Sequence, residues 1–214
     1  MGLLDESSDL SASDLATSDL LVGDLLIGVL ALQGAFDAHV KMLGLCGFEA
    51  RQVRTPTDLA RVDALVMPGG ESTTMSKLLV SSNLFNPIAD RITAGMPVFG
   101  TCAGMILLAS GVLDGRPDQL SFGAIDITVR RNGYGRQVDS FETDLVVTDL
   151  VAPFHGVFIR APKVEYVGTE VDVLASHDGT PVLLRQGRVS VASFHPELAG
   201  DPRLHQLFID NLHQ

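Results

Sequence analysis

The stretch that most constrains this chain is Pro97-Val98-Phe99-Gly100-Thr101-Cys102-Ala103-Gly104-Met105-Ile106-Leu107-Leu108-Ala109. It reads as a buried strand, a one-residue corner and an apolar helix running to Ala109. Gly-x-Cys-x-Gly is the thiol form of the Gly-x-Ser-x-Gly nucleophile elbow. The corner residue of such an elbow holds a strained backbone and tolerates only small neighbours, here Gly100, Ala103 and Gly104. The side chain of Cys102 is expected to point into solvent at the end of a sheet. A helix N-terminus beneath a sulfur favours thiolate over thiol, and thiolate is the nucleophile. The other reading of the same residues is a buried cysteine at a tight turn, so the rest of the chain must supply a base, an orienting group and an oxyanion hole.

Upstream of the elbow, apolar runs alternate with helical spacing. Leu26–Leu32 is a strand-length run of the kind that suits a parallel strand covered on both faces. The spacing then predicts a helix over Phe36–Leu45, a strand near Glu49–Val53, a short helix from Pro56 to Arg61 and a strand over Ala64–Met67. Helices follow over Ser72 to about Leu79 and over Pro87–Thr93. Alternation of this kind implies right-handed crossovers and a parallel sheet. Beyond Ser110 the pattern changes to short strand-like runs: Ile125–Arg130, Phe141–Val147, Val157–Ile159, Lys163–Val167, Val171–Ala175, Val182–Arg185 and Val189–Phe194. This half is strand-rich and partly antiparallel, and a helix over Arg203–Leu212 follows it.

Residues 1–24 stand apart. Ser-Asp-Leu recurs there three times at a five-residue interval, which fits neither a helix face nor a strand. The segment holds six acids and no Lys or Arg, so the net charge of −11 falls to −5 without it. A mobile acidic extension over 1–24 and one domain over 25–214 are expected. The acidic balance argues against a nucleic acid or an anionic membrane as partner. No apolar run near the start approaches the roughly 20 residues of a spanning helix, and no basic, apolar leader is visible, so a cytoplasmic location is expected. Two cysteines make neither a disulfide framework nor a zinc site.

His195-Pro196-Glu197 ends the run Val189–Phe194. In extended chain, positions i and i+2 share a face, so Glu197 would orient His195 and stabilise its imidazolium. With Cys102 this makes nucleophile, base and orienter. The remaining histidines (His39, His155, His177, His205, His213) read as solvated or structural, and Cys46 as a small buried residue. Gly69-Gly70 follows a buried strand and opens a helix. If that strand lies beside the elbow strand, the N–H groups of Gly70 and Ala103 could converge on one oxygen, as acyl transfer requires. Glu71 would complement the dipole of the helix it precedes. Arg160 at a strand end suits a carboxylate-bearing ligand, while Arg130 and Arg136 read as surface ion-pairing residues.

Gly-Thr-Cys-Ala-Gly-Met together with His-Pro-Glu resembles the class I, or triad, glutamine amidotransferases. Four more stretches narrow the resemblance: Leu30–Ala35, Pro68–Met75, Arg131–Glu142 and Val157–Pro162. Together they resemble the glutaminase subunits of pyridoxal 5′-phosphate synthases, from about Leu26 onward. The resemblance implies a flavodoxin-like α/β fold and hydrolysis of L-glutamine to glutamate and ammonia. It implies Cys102 as nucleophile, His195 as base and acid, and Glu197 as orienter. Substrate contacts would come from Gly70, Glu71, Ser72, Arg131, Ile159 and Arg160, and Gln33 is similar to the family's glutamine near the oxyanion hole. No cofactor and no metal are called for. The implied partner is a separate synthase subunit that receives the ammonia. Three rivals remain at this point: a glutaminase serving another synthase, a regulatory subunit that kept the fold, and a cysteine-elbow peptidase or deglycase. The last type places a His after the nucleophile, where this chain has Ala103.

Overall fold

The computed structural model describes residues 25–131, 133 and 140–213. The expected extension over 1–24, the reading of Arg136, the stretch 134–139 and the side chain of His213 lie outside the described residues. Five parallel strands form the frame: β1 (Ile27–Leu30), β2 (Ala50–Val53), β3 (Ala64–Met67), β4 (Val98–Thr101) and, much later in the chain, β12 (Val189–Ala192). Their spatial order is β2-β1-β3-β4-β12, the flavodoxin-like arrangement. Antiparallel β11 (Thr180–Gln186) and β10 (Asp172–His177) extend the β12 edge to seven strands. Beside this sheet, β5 (Ala109–Leu113), β6 (Ile125–Arg130) and β9 (Lys163–Val167) form a three-stranded sheet, and β7 (Ser140–Leu145) pairs with β8 (Phe154–Ile159).

Strand periodicity divides the core between the two faces of the main sheet. Leu30, Leu65, Met67 and Val98 point to one face, which is covered by α3 (Ser72–Ser81), α4 (Phe85–Thr93) and α5 (Ala103–Leu108). Ile27, Val29, Ala64, Val66 and Phe99 point to the other, beneath α1 (Phe36–Leu45) and α6 (Arg203–Asp210). Short α2 (Pro56–Leu59) begins with a capping box between Thr55 and Asp58. Phe99 is 1% exposed and stacks on Phe208 with ring centroids 5.6 Å apart. Truncating a buried Phe of this kind costs about 3–5 kcal/mol.

The elbow helix is shorter than its apolar composition predicts. It ends at Leu108, and Ala109 already has extended backbone (φ −63°, ψ 148°). The carbonyls of Leu107 and Leu108 accept instead from the N–H groups of Phe122 and Ala124 at 2.7 Å. Tertiary partners at the helix end thus override the local helical preference. The glycines of the elbow also have a packing reason beyond backbone strain. A Cβ on Gly104 would lie 2.2 Å from the Met67 carbonyl oxygen, and one on Gly100 would lie 2.6 Å from Leu108. These contacts let α5 lie directly on β3 and β4. Cys46, expected to be buried, is half-buried, with its Sγ–H donating to the Pro202 carbonyl at 3.6 Å. Among the described residues no helix is long and apolar enough to cross a membrane.

Candidate active site

The site forms at the carboxyl ends of the parallel strands, where open α/β sheets bind ligands. β4 runs into Cys102, whose backbone stands at φ 50°, ψ −103°. A positive φ on a residue with a Cβ is strained, and here it is held by the Cys102 N–H donating to Ala192 of β12 at 2.8 Å. The side chain does not reach open solvent as expected: Cys102 is only 7% exposed. It lies at the floor of a cleft of about 190 Å³, with its Sγ–H directed at the Ile159 carbonyl at 3.9 Å. The walls come from several elements. The turn after β3 contributes Gly70 and Glu71, and Ser72 opens α3; α5 contributes Ile106; Ile159 and Arg160 come from the end of β8; and Arg131 follows β6. His195 completes the lining. All six expected substrate contacts therefore border one cleft with Cys102 and His195. Ile106 was not anticipated, because in sequence it is one apolar residue among several in the elbow helix.

His195 and Glu197 meet, but by a different geometry from the extended one. Pro196–Leu198 is a 3₁₀ turn, closed by the Leu198 N–H donating to the His195 carbonyl at 3.2 Å. Proline at the first helical position fits that turn as well as it fits a strand end. The turn brings Glu197 Oε1 within 2.8 Å of His195 Nδ1. The His195 N–H donates to Val157 of β8 at 2.8 Å, which ties the base to the strand carrying Ile159. Burial would pull the His195 pKa down, yet the Cys102 side chain and the Glu197 carboxylate outweigh it and raise it from 6.5 to about 10. Burial also pushes the Glu197 carboxyl up, but its contacts with His195 and His39 hold it below its ordinary value. An imidazole that keeps its proton at neutral pH is an acid poised for a leaving amine.

β3 does lie beside β4, as the oxyanion argument requires. The Gly69-Gly70 turn is clamped from two sides. A Cβ on Gly69 would sit 2.4 Å from His195 Cε1, so only glycine lets this turn approach the base. From the other side, Gln33 Oε1 accepts from the Glu71 N–H at 3.3 Å, and Gly34 packs against the Gly69 carbonyl. Ala103 opens α5 directly after Cys102. Glu71 caps α3: its carboxylate accepts from the Thr73 N–H at 3.1 Å and the Thr74 N–H at 2.7 Å. Arg131 donates to the same carboxylate at 2.8 Å and to Thr73 Oγ1 at 3.0 Å. Burial opposes ionisation of Glu71, but the hydrogen bonds from Thr74 and Thr73 lower its pKa to about 2. Arg160 has φ 45°, lines the cleft and makes no ion pair among the described residues. Arg130 bridges Asp114 and Glu165 on the surface, as expected.

Two histidines read as solvated or structural are buried behind the triad. His39 and His205 are both 0% exposed, and His39 Nε2 lies 3.3 Å from Glu197 Oε2. The first is on α1 and the second on α6, far from the elbow in sequence, so no local motif marks them. His155 sits on the surface between Asp144 and Glu142, each 3.1 Å away. Among the described residues no group of three or more His, Cys, Asp or Glu is placed to hold a metal.

Known proteins are similar to this chain over most of its length. The "Pyridoxal 5′-phosphate synthase subunit PdxT" of Mycobacteroides abscessus is 59% identical over 182 residues, covering 85% of this chain and 94% of that protein. The protein of the same name from Herpetosiphon aurantiacus is 55% identical, covering 85% of this chain and 97% of its own length. A solved structure titled "Crystal structure of glutamine amidotransferase" superposes with a TM-score of 0.82 at 46% identity, covering 88% of this chain and 99% of that one. A glutamine amidotransferase from Thermotoga maritima, 11% identical with a TM-score of 0.57, shares the fold over 88% of this chain and 95% of its own. The family model described as the SNO glutamine amidotransferase family matches residues 29–214. The strained cysteine, the histidine behind it and the sheet that holds them thus sit in a sequence related along nearly its whole described length, and the chain belongs to the SNO glutamine amidotransferase family.

Proposed function

We propose that this chain hydrolyses L-glutamine to L-glutamate and ammonia, and that the ammonia passes to a separate synthase subunit that makes pyridoxal 5′-phosphate. The observation that carries the reading is His195 held between Cys102 and Glu197 on the wall of a small cleft that also presents Arg160. Cys102 sulfur attacks the side-chain amide carbon of glutamine. The oxygen of the tetrahedral intermediate is received by the N–H groups of Gly70 and Ala103, on a turn that Gln33 holds in place. His195 gives its proton to the departing ammonia, leaving a γ-glutamyl thioester on Cys102. Water then loses a proton to His195, attacks the thioester and releases glutamate, with the sulfur leaving as thiolate and His195 again protonated as at the start. Arg160 meets the substrate carboxylate, with Arg131, Glu71, Ser72 and Ile159 fixing its position.

Relatives more than half identical to this chain are named as subunits of pyridoxal 5′-phosphate synthase, which supports that acceptor over other ammonia-using synthases. The active unit is then a hetero-oligomer in the cytoplasm, with residues 25–214 as its glutaminase domain. The test supplies glutamine labelled with ¹⁵N at the amide, together with the synthase partner and its phosphosugar substrates. The reading predicts label in pyridoxal 5′-phosphate and its loss with Cys102→Ala. Near-normal ammonia release by Cys102→Ala would sink it.

A further inference from the structure

Glu197 has two carboxylate oxygens, and the triad uses one of them. Oε1 is bonded to His195 Nδ1 at 2.8 Å. Oε2 is buried, makes no hydrogen bond of good geometry, and faces His39 Nε2 at 3.3 Å. Leaving a carboxylate oxygen dry and unanswered is costly, so the group opposite it matters. His39 is held from two further directions. Its Nδ1 lies 2.9 Å from His205 Nε2, and Thr101 Oγ1 lies 3.2 Å from its Nε2. Thus α1, α6 and the end of β4 converge behind the carboxylate.

The contacts select one tautomer. Burial lowers the His39 pKa to about 4, so at neutral pH the ring carries one N–H. With that hydrogen on Nδ1, Nε2 could accept from the Thr101 hydroxyl, but its lone pair would lie 3.3 Å from Oε2 in a dry interior, and His205, accepting through Nε2, would carry a buried Nδ1–H with no partner among the described residues. With it on Nε2, the N–H can donate to Thr101 Oγ1 while lying 3.3 Å from Oε2, and Nδ1 accepts from the His205 Nε2–H. His205 Nδ1 is then a bare acceptor, and it is the nitrogen that has no partner among the described residues.

We propose that His39 is a positioning residue of the triad: its polar Nε2–H, 3.3 Å from the second oxygen of Glu197, stabilises the charge there and favours one rotation of that carboxylate, while His205 fixes the tautomer of His39. The proposal rests on the glutaminase reading above. With the donor gone, Glu197 is free to rotate or to take up a proton, and His195 loses its orientation. The ionisable groups facing Glu197 are His195 from its own turn and His39 from α1, with His205 of α6 facing His39 from behind.

The test has two arms. The first is a long-range ¹H–¹⁵N spectrum of the full-length wild-type chain with ¹⁵N-labelled histidine. It is expected to show His39 as the Nε2–H tautomer; the Nδ1–H tautomer overturns the proposal whatever any variant does. The second arm measures glutamine hydrolysis with the synthase subunit present. His39→Gln can place an N–H where Nε2 stood, whereas His39→Asn reaches only the Nδ1 position, towards His205. The Gln variant is expected to stay close to wild type. The Asn variant is expected to lose about 10–100-fold in kcat with KM little changed, and the acid limb of its kcat–pH profile is expected to move upward as Glu197 takes a proton more readily. Equal kcat in the two variants, or an unmoved acid limb in the Asn variant, contradicts the proposal. Absence of glutamine hydrolysis in wild type would contradict the glutaminase reading instead, and the spectrum would still report on His39.

Discussion

Gly69 is the residue at which the oxyanion turn and the base come closest. A Cβ there would stand 2.4 Å from His195 Cε1 and 3.2 Å from Cys102 Cβ. Gly69→Ala must therefore push either the turn or the imidazole out of place. A displacement of about 1 Å costs on the order of 10²-fold in rate, so glutaminase turnover should fall by about that factor. Overpacking of this kind costs about 1–3 kcal/mol, which leaves the domain folded. A Gly69→Ala protein with wild-type turnover would show that the turn does not need this approach. Legibility at this scale depends on distance along the chain. Cys102, Gly70 and the His195–Glu197 pair stand in short local patterns whose chemistry can be read directly. Ile106 and His39 cannot be read that way, because their roles arise only when α5 and α1 pack against the site. The extended argument for His195 and Glu197 joined the right pair for a reason the backbone does not use, since a 3₁₀ turn brings them together.

Among the elements, α3 shows how a helix start is shared between stability and the site. Glu71 caps it and also pairs with Arg131 on the wall of the cleft. Its pKa is lowered from 4.5 to about 2, so its contribution to stability is fully present above pH 4.5 and fades as the pH falls towards 2. Glu71→Ala should cost about 1 kcal/mol at pH 7, at the modest end for a cap because the side chain is partly exposed. Urea unfolding at pH 7 and at pH 3.5 checks the sign: the gap between variant and wild type should narrow at the lower pH. A gap that widens would show that Glu71 does not fold as a carboxylate. In the first half of the chain the expected helix Phe36–Leu45 and strand Ala64–Met67 coincide with α1 and β3. Glycine and proline punctuate strongly periodic runs there, so local and tertiary preferences agree. They disagree at Ala109, where an apolar composition cannot show that Phe122 and Ala124 will take the last helical carbonyls and turn the chain into β5.

For the whole molecule, the residues buried behind the triad set a pH window. In the unfolded chain His39 and His205 bind protons near pH 6.5; in the folded chain burial lowers His39 to about 4 and holds His205 well below its ordinary value. The folded state binds fewer protons through that interval, so stability falls as pH drops from about 6.5 towards 4. At about 1.4 kcal/mol for each unit of pKa difference, the loss is on the order of a few kcal/mol. His195 acts in the opposite direction. Its pKa is raised to about 10, so its contribution is present below pH 6.5 and lost as pH rises through 10. Urea midpoints measured at pH 7 and pH 5 should decline for wild type and decline less for His205→Gln; a flat wild-type response would contradict the burial of two neutral histidines. The flavodoxin-like strand order was implied only by the family resemblance, whereas the parallel sheet with helical crossovers that brings these groups together was legible from the alternation of apolar runs. The pairing of distant β12 with β4, which carries His195 to Cys102, was not, because nothing local to Val189–Ala192 names its neighbour. That juxtaposition is what the account depends on, and a covalent trap tests it most directly. Acid-quenching the protein during turnover with glutamine and the synthase subunit, then mapping peptides by mass, should show a γ-glutamyl group on the peptide carrying Cys102. Ammonia release with no adduct on Cys102 and a glutamyl group on Cys46 would contradict the account.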